Sequence, residues 1–139
     1  MTAYDPDNVF AKILRGEMPA TKVYEDDVAL AFMDIMPRAD GHTLVIPKAA
    51  ARNILDIAPA DLGELIKRVQ IVAKGAHRAM GADGVTVQQF SERAGGQLVF
   101  HIHFHVLPRW NGVPVRPPGV MGDMAAISAH AEKIRAALA

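Results

Sequence analysis

Residues 100–108 read Phe-His-Ile-His-Phe-His-Val-Leu-Pro. The stretch holds half of the six histidines in the chain, at positions 101, 103 and 105. Between them stand Ile102, Phe104 and Val106, all large and apolar. Alternation with a period of two marks a β-strand whose two faces differ. The spacing predicts a strand over 100–108, with His101, His103 and His105 on one side and Ile102, Phe104 and Val106 turned into a core. At about 3.3 Å of rise per residue, neighbouring imidazoles in such a row lie roughly 6.5–7 Å apart. A solvated strand face ordinarily draws on Thr, Lys, Glu and Ser, so three imidazoles on one face point to chemistry.

Upstream of this strand the chain is punctuated by turn and cap residues. Asp7 to Arg15 reads as a short helix, with Asp7 as N-cap, Gly16 as its stop and an apolar stripe of Val9, Phe10, Ile13 and Leu14. Lys22 to Glu25 and Val28 to Met33 read as a hairpin around Asp26-Asp27, and His42 to Pro47 as a third strand. Asn53 to Ile57 reads as a helical turn. Pro59 to Met80 is the long helix: Leu62, Leu65, Ile66, Val69, Val72, Ala73 and Ala76 share one face. Pro59 suits its first turn and Gly81 its end. Gly84 to Phe90 is a fourth strand. Ser91 to Gln97 contains Gly95-Gly96 and reads as a loop that can bring backbone close to a ligand. Beyond the histidines, Asn111 to Gly122 is loose and Asp123 to Leu138 reads as a terminal helix capped by Asp123. The order of elements predicts an α+β fold with a five-stranded, mostly antiparallel sheet.

A chain of 139 residues suits one domain, here 1–139. Lys plus Arg and Asp plus Glu stand at 15 each, without the basic excess expected for nucleic acid or an anionic membrane. There is no Cys, hence no thiolate ligand or nucleophile. The first ten residues lack the layout of a signal peptide, and no apolar run reaches the ~18 residues of a membrane span. A cytoplasmic protein is expected.

The histidine row admits two kinds of chemistry. His-x-His on a strand can give two ligands to zinc, but a hydrolytic zinc site also wants a carboxylate. None lies between Glu92 and Asp123. In the alternative, one imidazole attacks phosphorus and carries the group covalently, which requires one free lone pair and a held N–H on the other nitrogen. Its neighbours then donate to phosphate oxygens or the leaving group. The middle position, His103, has a helper on each side. Backbone N–H groups of Gly95-Gly96-Gln97 and the Gln97 amide are candidate donors to the same oxygens. His77 and His130 stand alone and read as incidental.

HIHFHVLP at 101–108 resembles the motif of the histidine-triad (HIT) family. Asn8 to Pro19 (NVFAKILRGEMP), Val23 to Pro37 (VYEDDVALAFMDIMP), Gly41 to Lys48 (GHTLVIPK) and Gly95 to Pro108 resemble the family in order and spacing. The resemblance covers about residues 8–119 and leaves 120–139 as a tail. It implies a HIT-like fold with one long helix, short terminal helices and a homodimer paired through its sheets. It also implies a purine nucleotide substrate. The expected reaction hydrolyses or transfers a nucleoside monophosphate group from a phosphoramidate, aminoacyl adenylate or dinucleoside polyphosphate through a nucleotidyl-histidine.

By resemblance His103 is the nucleophile, flanked by His101 and His105, with His42 beside them. Asp34 matches the acid on the ribose hydroxyls, Ile35 an apolar contact to the base and Gln97, next to Gly96, a phosphate contact. Phe10, Ile13, Phe32 and Leu44 are candidate walls of the base pocket. No cofactor is expected. Relatives that hold a structural zinc use two Cys, a His and the first triad His. The first three positions are here Asn8, Ala11 and Ala50, so no zinc is expected. Leu98, Phe90-Ser91 and Arg116-Pro117-Pro118-Gly119 also depart from the phosphoramidase pattern, with Trp110 displaced to the loop after the triad. Leu107-Pro108-Arg109 leans towards dinucleoside polyphosphates. These departures keep open a weakly active nucleotide-binding regulatory dimer, and the row keeps open a metal hydrolase.

Overall fold

The computed structural model describes residues 2–139. Five strands form one antiparallel sheet in the order β1-β2-β3-β5-β4. They are β1 (Lys22–Glu25), β2 (Ala29–Met33), β3 (Thr43–Pro47), β4 (Gly84–Gln89) and β5 (Phe104–Arg109). Three helices accompany them: α1 (Val9–Leu14), α2 (Pro59–Ala79) and α3 (Met124–Leu138). The α+β expectation holds. Among the described residues no helix is long and apolar enough to cross a membrane.

Period-two alternation sorts the strand residues onto two faces. Ala29, Ala31, Met33, Val45, Phe104 and Val106 pack under α2 with Leu65, Val69, Val72 and Ala76. Leu30, Phe32, Leu44 and Ile46 turn the other way, where Phe10 and Ile13 of α1 cover them. The segment set apart as a tail contributes to the larger core: Ile127, Ala131 and Ile134 of α3 are buried there. Asp123 caps α3 as expected, its carboxylate accepting from Ala126 N–H.

Two expectations are corrected. The N-cap of α1 is Asn8 rather than Asp7: Asn8 Oδ1 accepts the Ala11 N–H at 2.9 Å. Asp7 belongs to the preceding turn, where its N–H donates to Asp5 Oδ1. The strand predicted over 100–108 begins only at Phe104. Pairing of β3 with β5 stops at Val45 and Phe104, and the Ile102 N–H donates instead to the Ala51 carbonyl, past the end of β3. The alternation nevertheless survives this bend. Ile102 lies in the same core as Phe104 and Val106, while the aromatic edge of Phe10 meets His103 on the opposite face.

Candidate active site

Separate elements bring the histidines together. His105 lies on β5 opposite Leu44 of β3. His42 enters β3 from a tight turn in which its N–H donates to the Ala39 carbonyl. Gly41 makes this turn possible: its φ is +82°, and a Cβ there would lie 2.8 Å from Met80 and 3.1 Å from Pro108. Asp34 follows β2 and its N–H donates to the His42 carbonyl. His101 and His103 sit on the bend before β5. The rings of His103 and His105 are centred 5.0 Å apart.

Hydrogen-bond partners assign each ring its proton. His103 Nδ1 lies 2.7 Å from the His101 carbonyl. A carbonyl only accepts, so Nδ1 carries the proton and Nε2 keeps its lone pair. His101 Nε2 lies 2.8 Å from the Pro47 carbonyl and donates to it. Its Nδ1 therefore accepts, and the Tyr4 hydroxyl donates to it at 2.7 Å. At the other end, the Arg38 N–H donates to His42 Nδ1 at 3.0 Å. The His42 proton thus sits on Nε2 and is donated to His105 Nδ1 at 3.0 Å, with Asp34 Oδ2 3.5 Å from the same nitrogen. His105 is left with a proton on Nε2. The row thus combines a bare Nε2 on His103 with an N–H donor on His105.

Burial keeps these rings neutral. It is the main cause that lowers His42 from its ordinary 6.5 to about 4, helped by the charges of Arg38 and Arg116. His105 is lowered to about 3, first by burial and then by His103 and His42. Burial also lowers His101 and His103, opposed by their bonds to the Pro47 and His101 carbonyls. A nucleophilic imidazole needs this neutral state.

Around the row stand the other expected residues. Phe10 and Leu44 are buried in the α1-side cluster, and the Phe10 ring meets His103 edge-on at 4.9 Å. Asp34 Oδ1 accepts the Met36 N–H, leaving Oδ2 towards His42. Ile35 beside it is exposed.

The loop before the row corrects the donor assignment. Gly95 and Gln97 donate their N–H groups to the Glu92 carbonyl, and Gly96 donates to Arg93. The Gln97 amide is also engaged inside: Nε2 donates to the Arg52 and Val99 carbonyls, and Oε1 accepts from Asn53 and from Glu92 N–H. Gln97 therefore holds the loop in shape, and Gly96 (φ +95°) supplies its left-handed corner. The N–H groups of Leu98 and Val99, by contrast, have no acceptor among the described residues.

Besides Tyr4 and Arg38, sequence reading missed four residues around the loop: Arg52, Asn53, Glu92 and Phe90. Arg52 grips Glu92 through two bonds, Nε at 2.8 Å and Nη2 at 3.1 Å, and Asn53 donates to the same carboxylate. Glu92 is the one non-glycine among the described residues with positive φ, 64°. A strained backbone of this kind persists only where its surroundings hold it. Phe90 closes the His105 side, its ring centred 5.3 Å from the imidazole. Arg52 and Glu92 are 40 positions apart, and no local pattern announces such a pair.

The departures after the triad are also placed. Arg116 donates to Asp40 and to the Pro37 carbonyl, so the Arg-Pro-Pro-Gly segment is strapped to the turn leading to His42. Trp110 donates its indole N–H to Gly81, at the end of α2.

The residues do not fit the structural zinc of the resembling proteins. Asn8 is spent on its cap, Ala11 and Ala50 have no donor atoms, and His101 Nδ1 is held by Tyr4. A different trio, Asp34, His42 and His105, gathers within 4.8 Å. The carboxylate that local sequence lacked thus arrives from the turn after β2. A metal on His42 Nε2 would move that ring's proton to Nδ1, against the Arg38 N–H that already donates there, so the trio is better suited to passing a hydrogen bond.

The HIT domain profile matches residues 15–112. The chain belongs to the histidine-triad family. A HIT-like protein involved in cell-cycle regulation from Bartonella henselae, solved with an unknown ligand, shares the fold at TM-score 0.94 and 50% identity, covering 99% of this chain and 100% of that one. Among curated HIT relatives, the adenylylsulfatase HINT3 of Arabidopsis thaliana is 36% identical over 103 residues, 74% of this chain and 52% of its own. The chain thus spans about half of that protein. The adenosine 5'-monophosphoramidase hnt1 of Schizosaccharomyces pombe is 33% identical over 119 residues, 78% of this chain and 86% of its own.

Proposed function

We propose that this protein hydrolyses or transfers a purine nucleoside monophosphate group held by a P–N or P–O bond. The observation that carries the reading is the bare Nε2 of His103 beside the N–H of His105. The His103 lone pair attacks phosphorus, and the bond to the leaving nitrogen or oxygen breaks with its electrons. A leaving nitrogen takes a proton from water, whose hydroxide is neutralised by the proton released in the second step; a leaving sulfate or phosphate oxygen departs as the anion. The Nδ1–H of the resulting cationic ring remains against the His101 carbonyl. Water then attacks phosphorus, the P–Nε2 bond returns its electrons to His103, and the attacking water releases a proton. In transfer, another nucleophile replaces water.

His105 Nε2–H and the N–H groups of Leu98 and Val99 are the donors to the phosphate oxygens, where charge develops. Asp34 Oδ2 accepts from the ribose hydroxyls, and Ile35, with the Phe10 and Leu44 side, flanks the base. The relatives with a named adenylylsulfatase and AMP phosphoramidase activity support this class. The second copy of a homodimer pairs along β4, the sheet edge, where Val87 is exposed.

Adenosine and guanosine phosphoramidates, adenylyl sulfate and dinucleoside polyphosphates form the test panel. Wild type is expected to turn over at least one of them and to yield a trapped nucleotidyl-His103. His103→Ala should lower turnover by about 10³-fold or more while retaining nucleotide binding. Unchanged turnover would refute the reading. Binding by wild type without turnover would favour the regulatory dimer.

A further inference from the structure

We propose that Tyr4 is a positioning residue of the histidine row, and that its hydroxyl fixes which nitrogen of His101 carries the proton. The inference rests on the reading of His103 as nucleophile. Tyr4 precedes α1 and lies 97 positions from His101, yet its hydroxyl reaches His101 Nδ1 at 2.7 Å. Its ring meets the imidazole nearly edge-on, with centroids 5.6 Å apart. His101 is completely buried.

Three bonds then run in series. Tyr4 O–H occupies the His101 Nδ1 lone pair. The His101 proton is thereby confined to Nε2, which donates to the Pro47 carbonyl at 2.8 Å. This fixes residue 101, whose own carbonyl accepts from His103 Nδ1 at 2.7 Å. The last bond keeps the His103 lone pair on Nε2, the atom that attacks. A hydroxyl hydrogen is an electrophilic partner for an imidazole lone pair, and it forces the proton to the opposite nitrogen.

Without the hydroxyl, a buried acceptor is left unpaired. Moving the proton to Nδ1 only exchanges an unpaired acceptor for an unpaired donor, and the other response open to the ring is to rotate. Either change breaks the bond to Pro47 and shifts the carbonyl that orients His103.

Tyr4→Phe removes the hydroxyl and keeps the ring. It should lower kcat on the best substrate of the panel about tenfold with KM within about twofold. Nitrogen NMR should show His101 Nδ1 losing its hydrogen bond and the His103 Nδ1–H signal moving. Asp5→Ala disturbs the same segment without touching His101, so it should leave kcat and both ring signals as in wild type. If Tyr4→Phe leaves kcat and the His103 signal unchanged in an enzyme that turns over, Tyr4 has no positioning role. An equal loss in Asp5→Ala would also overturn it, by tracing the effect to the segment. If wild type turns over nothing but the ring signals move in Tyr4→Phe, the function proposed above fails while the placement of Tyr4 stands.

Discussion

His101, at one end of the row, is wholly buried and uses both ring nitrogens inside the protein, on Tyr4 and Pro47. His105, at the other, uses only Nδ1 that way and keeps its Nε2–H for a ligand, with His42 held behind it by the Arg38 N–H. The same side chain therefore serves two purposes in one motif. The closed end holds geometry, because each nitrogen has a fixed partner. The open end supplies a donor whose tautomer is set by the His42 N–H.

The contrast can be broken from the open end first. His105→Ala removes the donor and should lower kcat by about 10²-fold or more in single-turnover kinetics. Its thermal midpoint should change less than that of His101→Ala, which empties a buried site. His42→Ala leaves His105 in place but frees its tautomer. The expected loss is about tenfold in kcat, the scale of one hydrogen bond to a reacting group, with the His105 nitrogens populating both tautomers by NMR. An unchanged rate would disconnect His42 from the donor.

The loop strut sharpens the comparison by separating support from chemistry. Arg52→Ala removes both bonds to Glu92, whose backbone the loop holds at positive φ. Urea denaturation should show a loss of roughly 1–3 kcal/mol, the scale of hydrogen bonds to a charged group. The effect should fall on stability and on KM more than on the chemical step.

The last comparison concerns pH. Burial lowers His42 from 6.5 to about 4 in the folded protein, and the three triad histidines shift the same way. Below pH 6.5 the unfolded chain therefore binds protons that the folded chain refuses. Stability rises with pH through this window. Acidifying from about pH 6.5 to pH 4 should thus lower the denaturation midpoint, and above pH 7 these groups should add no slope. His42→Asn should flatten the acid limb by at most about 1.4 kcal/mol per pH unit. An equally steep limb would trace it to other groups.

Much of this was legible before folding. Ile102, Phe104 and Val106 announce the core face, and the apolar repeat of Leu65, Val69, Val72 and Ala76 announces α2. Glycines at 16 and 81 mark helix ends by backbone freedom alone. Gln97 was legible as important but not in its use. Whether an amide faces a ligand or a neighbouring loop depends on Arg52, Asn53 and Val99, which no local pattern ties to it. The missing carboxylate was a limit of the same kind, since Asp34 lies far outside the triad segment.

Alternation, spacing and turn residues determined the elements and put the histidines opposite the core, because these depend on neighbours along the chain. Tertiary structure decided which nitrogen of each histidine carries the proton. That choice belongs to whatever group each nitrogen meets, and for His101 and His42 the deciding groups come from elsewhere in the chain: Tyr4, Pro47, Arg38 and Asp34. Three imidazoles of identical composition became a closed anchor, a ring with a bare Nε2 and a ring with a free N–H only when those partners were folded against them.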